Sequence, residues 1–345
     1  MATLGDFVRL LSQLNGTVHA EMSGRFIIYG AGAVGGVIGG SLALAGHDVA
    51  LIARGDHLAA IQRKGLELHT ERGVEVVQTD AVADPGDLAL SADDVVLLSM
   101  KTQDTIPALD RLAEVAPPEI AVVCVQNGVE NERLALRRFP NVYGISVMLP
   151  ATFLEPGVVT GEGTPDLGVL DIGRSPSGVD DTAEMVAAAL SSARFRSEAD
   201  PAVMRHKYAK LLMNTANALD AACGRSARVS DLGVRARQEG IDAFAAAGID
   251  VATPDEWMAR RQDFTVTEVN GPRPGGSSWQ SLARGSGTIE ADYLNGEVVL
   301  VGREFGVPTP VNEALRRVAN RMARERAKPG SVPIDELEAL AASLS

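Results

Sequence analysis

Residues 25–46 read RFIIYGAGAVGGVIGGSLALAG, and this stretch decides the fold. Four apolar residues, Phe26, Ile27, Ile28 and Tyr29, run directly into Gly30, Gly32 and Gly35. Small residues then continue to Gly46. A G-x-G-x-x-G pattern alone is common. Here it follows a strand and opens a helix, the context in which each glycine has a separate task. Gly30 permits a tight turn, Gly32 leaves the backbone bare for a pyrophosphate, and Gly35 lets helix and strand pack closely. The helix N-terminus offers unpaired N–H groups and the positive end of its dipole to phosphates. Gly30, Ala31, Gly32, Ala33, Val34 and Gly35 are therefore candidate dinucleotide contacts.

Beyond this turn the first half alternates strand and helix signals. A helix over 34–45 ends at Gly46, a strand covers 47–53, and a short helix covers 58–64. Residues 66–80 read as a hairpin turning near Glu71, Arg72 and Gly73. Apolar strands follow at 95–99 and 120–125, with a helix over 106–114 between them. Continuous apolar strands separated by helices indicate a parallel, doubly wound sheet. From 143 to 172 the pattern is extended and glycine-rich, read as mixed or antiparallel strands, before a helix over 181–192. From about Asp200 helical periodicity dominates, with helices expected over 201–223, 231–247, 255–264, 277–282, 289–305 and 311–326. The expected fold class is thus α/β: an N-terminal Rossmann-type doubly wound sheet over 23–199, then an all-helical domain over 200–330 and a tail helix over 331–345. Residues 1–22 read as an N-terminal extension that the fold can dispense with. They form either a short amphipathic segment or a stretch upstream of a start at Met22.

Composition narrows the function. The 345 residues are 46% hydrophobic but only 4% aromatic, so the cores must rest on Ala, Val, Leu and Ile. A net charge of −13 argues against nucleic acid or an anionic membrane as partner. No apolar run is long enough to span a bilayer, and Arg9 interrupts the one apolar patch of the N-terminus. Two cysteines, Cys124 and Cys223, make no disulfide framework, which fits a cytoplasmic protein. No metal-ligand cluster is evident, and a homodimer remains open as the assembly.

The second strand ends Leu51-Ile52-Ala53-Arg54. An acid at this place favours a free ribose 2′-hydroxyl, whereas an arginine accommodates a 2′-phosphate. Ala53 cannot bind the diol, and Arg54 can grip a phosphate through its planar fork, so NADP is the expected cofactor. Asp56, two residues on, weighs slightly against this. Lys101 and Gln103 follow one apolar strand, and Gln126-Asn127-Gly128 follows another. Both sets lie at the carboxyl edge of the sheet, where ligands of open α/β sheets bind. Lys101 can meet a phosphate, and Asn127 can both donate and accept beside a nicotinamide.

A second constellation lies at Lys210, Asn214 and Asn217, which share one face of an apolar helix with Lys207 a turn earlier. A solvated face is the ordinary explanation. Asparagine in mid-helix has poor propensity, however, and a lysine beside two amides suits an oxygen-rich substrate. Ser277-Ser278-Trp279 and Glu290-Ala291-Asp292 follow. Glu290 is the acid placed to join Lys210 if the helices converge.

Together these motifs resemble the ketopantoate reductase family (2-dehydropantoate 2-reductases), from about Ser23 to Arg326. The resemblance rests on the G-x-G-x-x-G turn, Lys101, Gln126-Asn127-Gly128, the K-x-x-x-N helix, the Ser-Ser helix start and the Glu-x-Asp-x-x-Asn-Gly segment. It implies NADPH-dependent reduction of a 2-keto acid, foremost 2-dehydropantoate to (R)-pantoate in pantothenate and coenzyme A biosynthesis. By the same resemblance Lys210 is the proton donor and Asn214 and Ser278 hold substrate. Asn127 touches both cofactor and substrate, and Glu290 orders the ternary complex. Asn217 stands one position before the family's second helix asparagine, where this chain has Ala218. Trp279, Gly287 and Ile289 also depart from the family pattern, and all four bear on which keto acid is bound. Other readings are an NADP-dependent dehydrogenase of another 2-keto or 3-hydroxy acid, or a non-catalytic NADP(H) sensor.

Overall fold

The computed structural model describes residues 24–271 and 275–345, so the expected extension over 1–22 lies outside the described residues. The first half supplies β1 (Phe26–Tyr29), α1 (Ala33–Leu44), β2 (Val49–Ile52), α2 (Gly55–Lys64), β3 (Leu66–Thr70), β4 (Gly73–Val77), β5 (Asp80–Val82), β6 (Val95–Leu98), α3 (Thr105–Val115), β7 (Ala121–Cys124) and α4 (Glu130–Leu136). It continues with β8 (Val142–Met148), β9 (Ala151–Thr152), β10 (Val158–Gly161), β11 (Gly163–Thr164), β12 (Val169–Arg174) and α5 (Asp181–Ser192). The second half holds α6 (Val203–Asn214), α7 (Ala216–Cys223), α8 (Asp231–Ala246), α9 (Pro254–Arg260), β13 (Thr265–Val266), α10 (Ser277–Ala283), α11 (Asn295–Phe305), α12 (Pro310–Glu325) and α13 (Ile334–Ser343).

The main sheet runs β12-β8-β7-β6-β1-β2-β5. Six strands are parallel, and β12 closes the edge antiparallel to β8. Strand order reverses at β1, flanked by β2 and β6, which opens a crevice beyond the strands' carboxyl ends. The strands at this centre are buried on both faces, as their unbroken apolar sequences require. The β3–β4 hairpin joins β10 and β9 in a second sheet, while the two-residue β13 returns from the helical half to pair with β11.

The glycine turn folds as its chemistry dictates. Gly30 has φ +108°, a conformation side chains rarely adopt. A Cβ on Gly35 would collide with Ser99 Oγ and the Gly30 carbonyl, whereas a Cβ on Gly32 would meet nothing within 4 Å. Close packing at Gly35 and open approach at Gly32 are therefore separate facts about separate positions.

Two expected helices differ. The helix over 201–223 is interrupted at Thr215, and the helix over 289–305 becomes a 3-10 turn at Glu290–Asp292 before α11. Side chains bond the backbone at the first: Thr215 Oγ1 donates to the Leu212 carbonyl at 2.8 Å, and Asn295 Nδ2 donates to the Thr215 carbonyl at 2.9 Å and to Asn312 Oδ1 at 2.9 Å. The Leu212 carbonyl, whose partner in a continuous helix would be a backbone N–H, thus has a side-chain donor instead. Helix α13 is not a detached tail, because Leu337 and Ala341 are fully buried in the core it shares with α12. No helix among the described residues is long and apolar enough to cross a membrane.

Candidate active site

A cavity of about 850 Å³ opens where the sheet's carboxyl edge faces the helices. This is near the upper end of ordinary ligand pockets. Gly30, Ala31, Gly32, Ala33, Val34, Arg54, Lys101 and Asn127 line it from the sheet side. Lys210, Asn214, Asn217, Ser277 and Glu290 line it from the helical side. The two constellations, which no stretch of sequence joins directly, therefore face one space.

At the nucleotide end, Ala53 is buried and Arg54 is exposed at the cavity wall as the N-cap of α2. Arg54 has no ion pair among the described residues, and its acidic neighbour Asp84 is bound by Arg111 at 2.8 Å. The glycine turn is braced by a residue that sequence reasoning missed. His57 Nε2 bonds the Ala31 carbonyl at 2.6 Å, and its Nδ1 accepts from the Gly157 N–H at 2.9 Å. One nitrogen donating and one accepting define a neutral imidazole, and burial lowers its pKa accordingly.

At the other end, α6 lies across the Gln126-Asn127 turn and touches it twice. Asn214 Nδ2 donates to Asn127 Oδ1 at 3.0 Å. Lys207 Nζ donates to the Gln126 carbonyl at 2.9 Å and the Ile145 carbonyl at 3.1 Å, and pairs with Glu132 at 2.8 Å. Lys207 and Glu132 are both buried, so Lys207 is not part of the open face that helical spacing suggested. Glu132 sits on α4, a helix the sequence pattern does not reveal because its inward face carries Asn131 and Glu132. Lys210, between the two contacts, reaches the cavity with its Nζ over the Trp257 ring, 5.9 Å from the centroid.

Glu290 is inside the cavity, but its ion pair goes to Lys101 at 3.6 Å rather than to Lys210. Its other oxygen accepts from Thr102 N–H at 3.2 Å and Thr102 Oγ1 at 3.3 Å. Lys101 also donates to Ser281 Oγ. Burial lowers the Lys101 pKa, against the opposing pull of Glu290. A buried relay continues from Thr102 through Asn131 and Thr105 to Gln126, with each link between 2.8 and 3.1 Å. The loop after β6 and the turn after β7 are thereby one rigid edge. Three expected contacts stand off the wall. Gly35 is packed behind the turn, Gln103 donates to Thr288 Oγ1 at 3.1 Å, and Ser278 is buried while its neighbour Ser277 lines the cavity. Asn217 lines the cavity and accepts from Arg228 at 2.9 Å, whereas Ala218 points into the helical core.

The groups present suit a dinucleotide: bare backbone at Gly32, an arginine without an ion pair at the second strand's end, and room between them and Asn127. Fold and site together define a two-domain oxidoreductase of the dinucleotide-binding class. Residues 26–175 match the family Ketopantoate reductase PanE/ApbA, and residues 202–323 match its C-terminal counterpart. The chain is 33% identical over 302 residues to a 2-dehydropantoate 2-reductase of Archaeoglobus fulgidus, covering 84% of this chain and 95% of the relative. It is also similar to the solved PanE/ApbA family ketopantoate reductase of Ralstonia eutropha JMP134, with 30% identity, TM-score 0.70, and 87% and 98% of the two chains covered. A solved D-mandelate dehydrogenase with NADH and anilino(oxo)acetate shares the fold at 21% identity and TM-score 0.74, over 88% and 99%. The chain belongs to the ketopantoate reductase family, whose members act on CH–OH groups.

Proposed function

We propose that this protein reduces a 2-keto acid with NADPH, and that 2-dehydropantoate is its first substrate, giving (R)-pantoate. The observation that carries the reading is Lys210 held between two contacts of α6 to the Gln126-Asn127 turn, inside the cavity that begins at the glycine turn. Gly32 and its neighbours would hold the pyrophosphate, Arg54 the 2′-phosphate and Asn127 the nicotinamide end. The bound cofactor supplies a hydride to the substrate's C2 carbonyl carbon. Lys210, as an ammonium, stabilises the negative charge that grows on the carbonyl oxygen and then donates its proton there. Asn214 keeps its own oxygen and one N–H for substrate after bonding Asn127, and Asn127 keeps both amide N–H groups. Glu290 holds Lys101 and the Thr102 loop, which orders the cofactor side.

The preference for NADPH rests on Arg54 beside a buried Ala53, and the NADH-binding mandelate enzyme of the same fold makes NADH the necessary control. A second reading concerns the substrate. Arg225, Arg228 and Arg261 line the helical side of the cavity, where Asp220 pairs with Arg228 and Glu290 with Lys101. This favours keto acids bearing a further anionic or polar group. Turnover of NADPH with 2-dehydropantoate and with a panel of monocarboxylic and dicarboxylic 2-keto acids tests both. The highest kcat/KM is expected with 2-dehydropantoate, and no oxidation with any keto acid would end the catalytic reading. Lys210→Ala is expected to lower kcat by about 10²–10⁴-fold with NADPH affinity retained. Near-normal turnover in that variant would remove Lys210 from its role.

A further inference from the structure

We propose that Arg284, at the end of α10, is a cofactor-binding residue whose guanidinium takes the dinucleotide's pyrophosphate from the side opposite the glycine turn. The proposal rests on the reading of the cavity as a nicotinamide-dinucleotide site. Three successive contacts lead from Arg284 to that turn. Its Nη1 donates to the Phe153 carbonyl at 2.9 Å, and the guanidinium lies over the Phe153 ring, 5.8 Å from the centroid. Phe153 packs on His57 with centroids 4.4 Å apart, and His57 bonds the Ala31 carbonyl of the turn. Arg284, Phe153 and His57 therefore form a column that ends on the backbone awaiting the pyrophosphate, and all line the same cavity.

The column's cation lacks an anion. Among the described residues Arg284 has no carboxylate partner, and its Nη1 donates to a neutral carbonyl. Its side chain is exposed on the cavity wall. Lys101, close enough to feel Arg284 as a like charge, is matched by Glu290, so Arg284 is the cation left over on this wall. A guanidinium exposed on a cavity wall without a counter-ion is open to a phosphate group, which it can take with two parallel N–H···O bonds. Because Arg284 comes from the helical half and the turn from the sheet, the bound dinucleotide also bridges the two halves.

The test is direct titration of NADPH and NADH into wild type, Arg284→Ala, Arg284→Lys and Arg54→Ala, read by calorimetry or nicotinamide fluorescence without keto acid. The pyrophosphate is common to both cofactors, so Arg284→Ala is expected to weaken both by the same factor, about 10-fold or more. Arg284→Lys should recover part of that loss, and Arg54→Ala should weaken NADPH alone. Circular dichroism confirms that each variant is folded. Unchanged dinucleotide affinity in Arg284→Ala overturns the proposal. So does a loss confined to NADPH, which marks a 2′-phosphate contact, or an intact dinucleotide affinity with raised keto-acid KM, which marks a substrate contact. If wild type binds neither dinucleotide, the reading of the cavity falls, and this proposal with it. If the dinucleotides bind but no keto acid is reduced, this proposal stands while the catalytic one fails.

Discussion

Replacing Lys207 by methionine should show how α6 is fastened to the sheet. The methionine keeps most of the side chain's volume and removes its charge and donors. Three acceptors then lose their partner: Glu132 and the carbonyls of Gln126 and Ile145, at 2.8, 2.9 and 3.1 Å from the ammonium. Glu132 is fully buried, and burial already pushes its carboxyl pKa up against the pull of Lys207. Without Lys207 it must fold protonated. From an ordinary value of 4.5, protonation at pH 7 costs about 3.4 kcal/mol, using about 1.36 kcal/mol per unit. The expected loss is therefore about 3–5 kcal/mol, the usual cost of breaking a buried pair from one side.

Chemical denaturation followed by the fluorescence of Trp257 and Trp279, both in the helical half, measures this loss. The pH dependence identifies its cause. A carboxyl whose folded pKa is raised contributes stability below its unfolded value and loses it as pH rises through the folded one. Lys207→Met should therefore weaken steadily above about pH 4.5, more steeply than wild type. Adding Glu132→Gln removes the orphaned carboxyl and should flatten that slope. A loss below about 1 kcal/mol at pH 7, with no extra slope, would refute the buried-strut account.

Other outcomes follow from single positions. Gly32→Ala should leave stability within about 0.5 kcal/mol while lowering dinucleotide affinity, and Gly35→Ala should lower stability by about 1–3 kcal/mol. Thermal melts beside NADPH titrations separate the two. Glu297, buried on α11, has its pKa pushed up to about 7 by burial, with Glu130 adding to the effect. Stability it contributes below about pH 4.5 is lost as pH rises through about 7, so Glu297→Gln should be the more stable protein at pH 8, by about 1–3 kcal/mol in denaturation. His57 has the opposite sign. Its pKa is lowered, so its contribution is full above the ordinary value of 6.5 and is lost as pH falls through the folded value. Dinucleotide affinity measured between pH 7.5 and 5.5 should fall in wild type more than in His57→Gln, which cannot take up that proton.

What the sequence made legible was local chemistry. The strand-to-helix glycines, the arginine after β2 and the lysine–asparagine face of α6 each signal through spacing of a few residues, and Gly30, Gly32, Arg54, Lys210 and Asn214 line the cavity. What it hid were buried polar groups, because they imitate solvent-exposed ones. Asn131 and Glu132 occupy the buried face of α4, where a helical pattern calls for apolar residues. Lys207 looked like part of an open binding face and is instead a strut between halves. Asn295, which bonds the backbone at the break between α6 and α7, lies eighty positions from the carbonyl it holds. The pairing of Glu290 with Lys101 instead of Lys210 has the same origin, since a carboxylate's partner is chosen by convergence of distant loops. These hidden groups share a location: each ties the helical half to the carboxyl edge of the sheet or shapes the helices beside it. Their polarity follows from their task, since apolar packing tolerates sliding whereas hydrogen-bonded carbonyls and paired charges fix one register. Lys210 is thereby placed by groups that never touch substrate, and substitutions among them should alter kcat as surely as substitutions on the cavity wall.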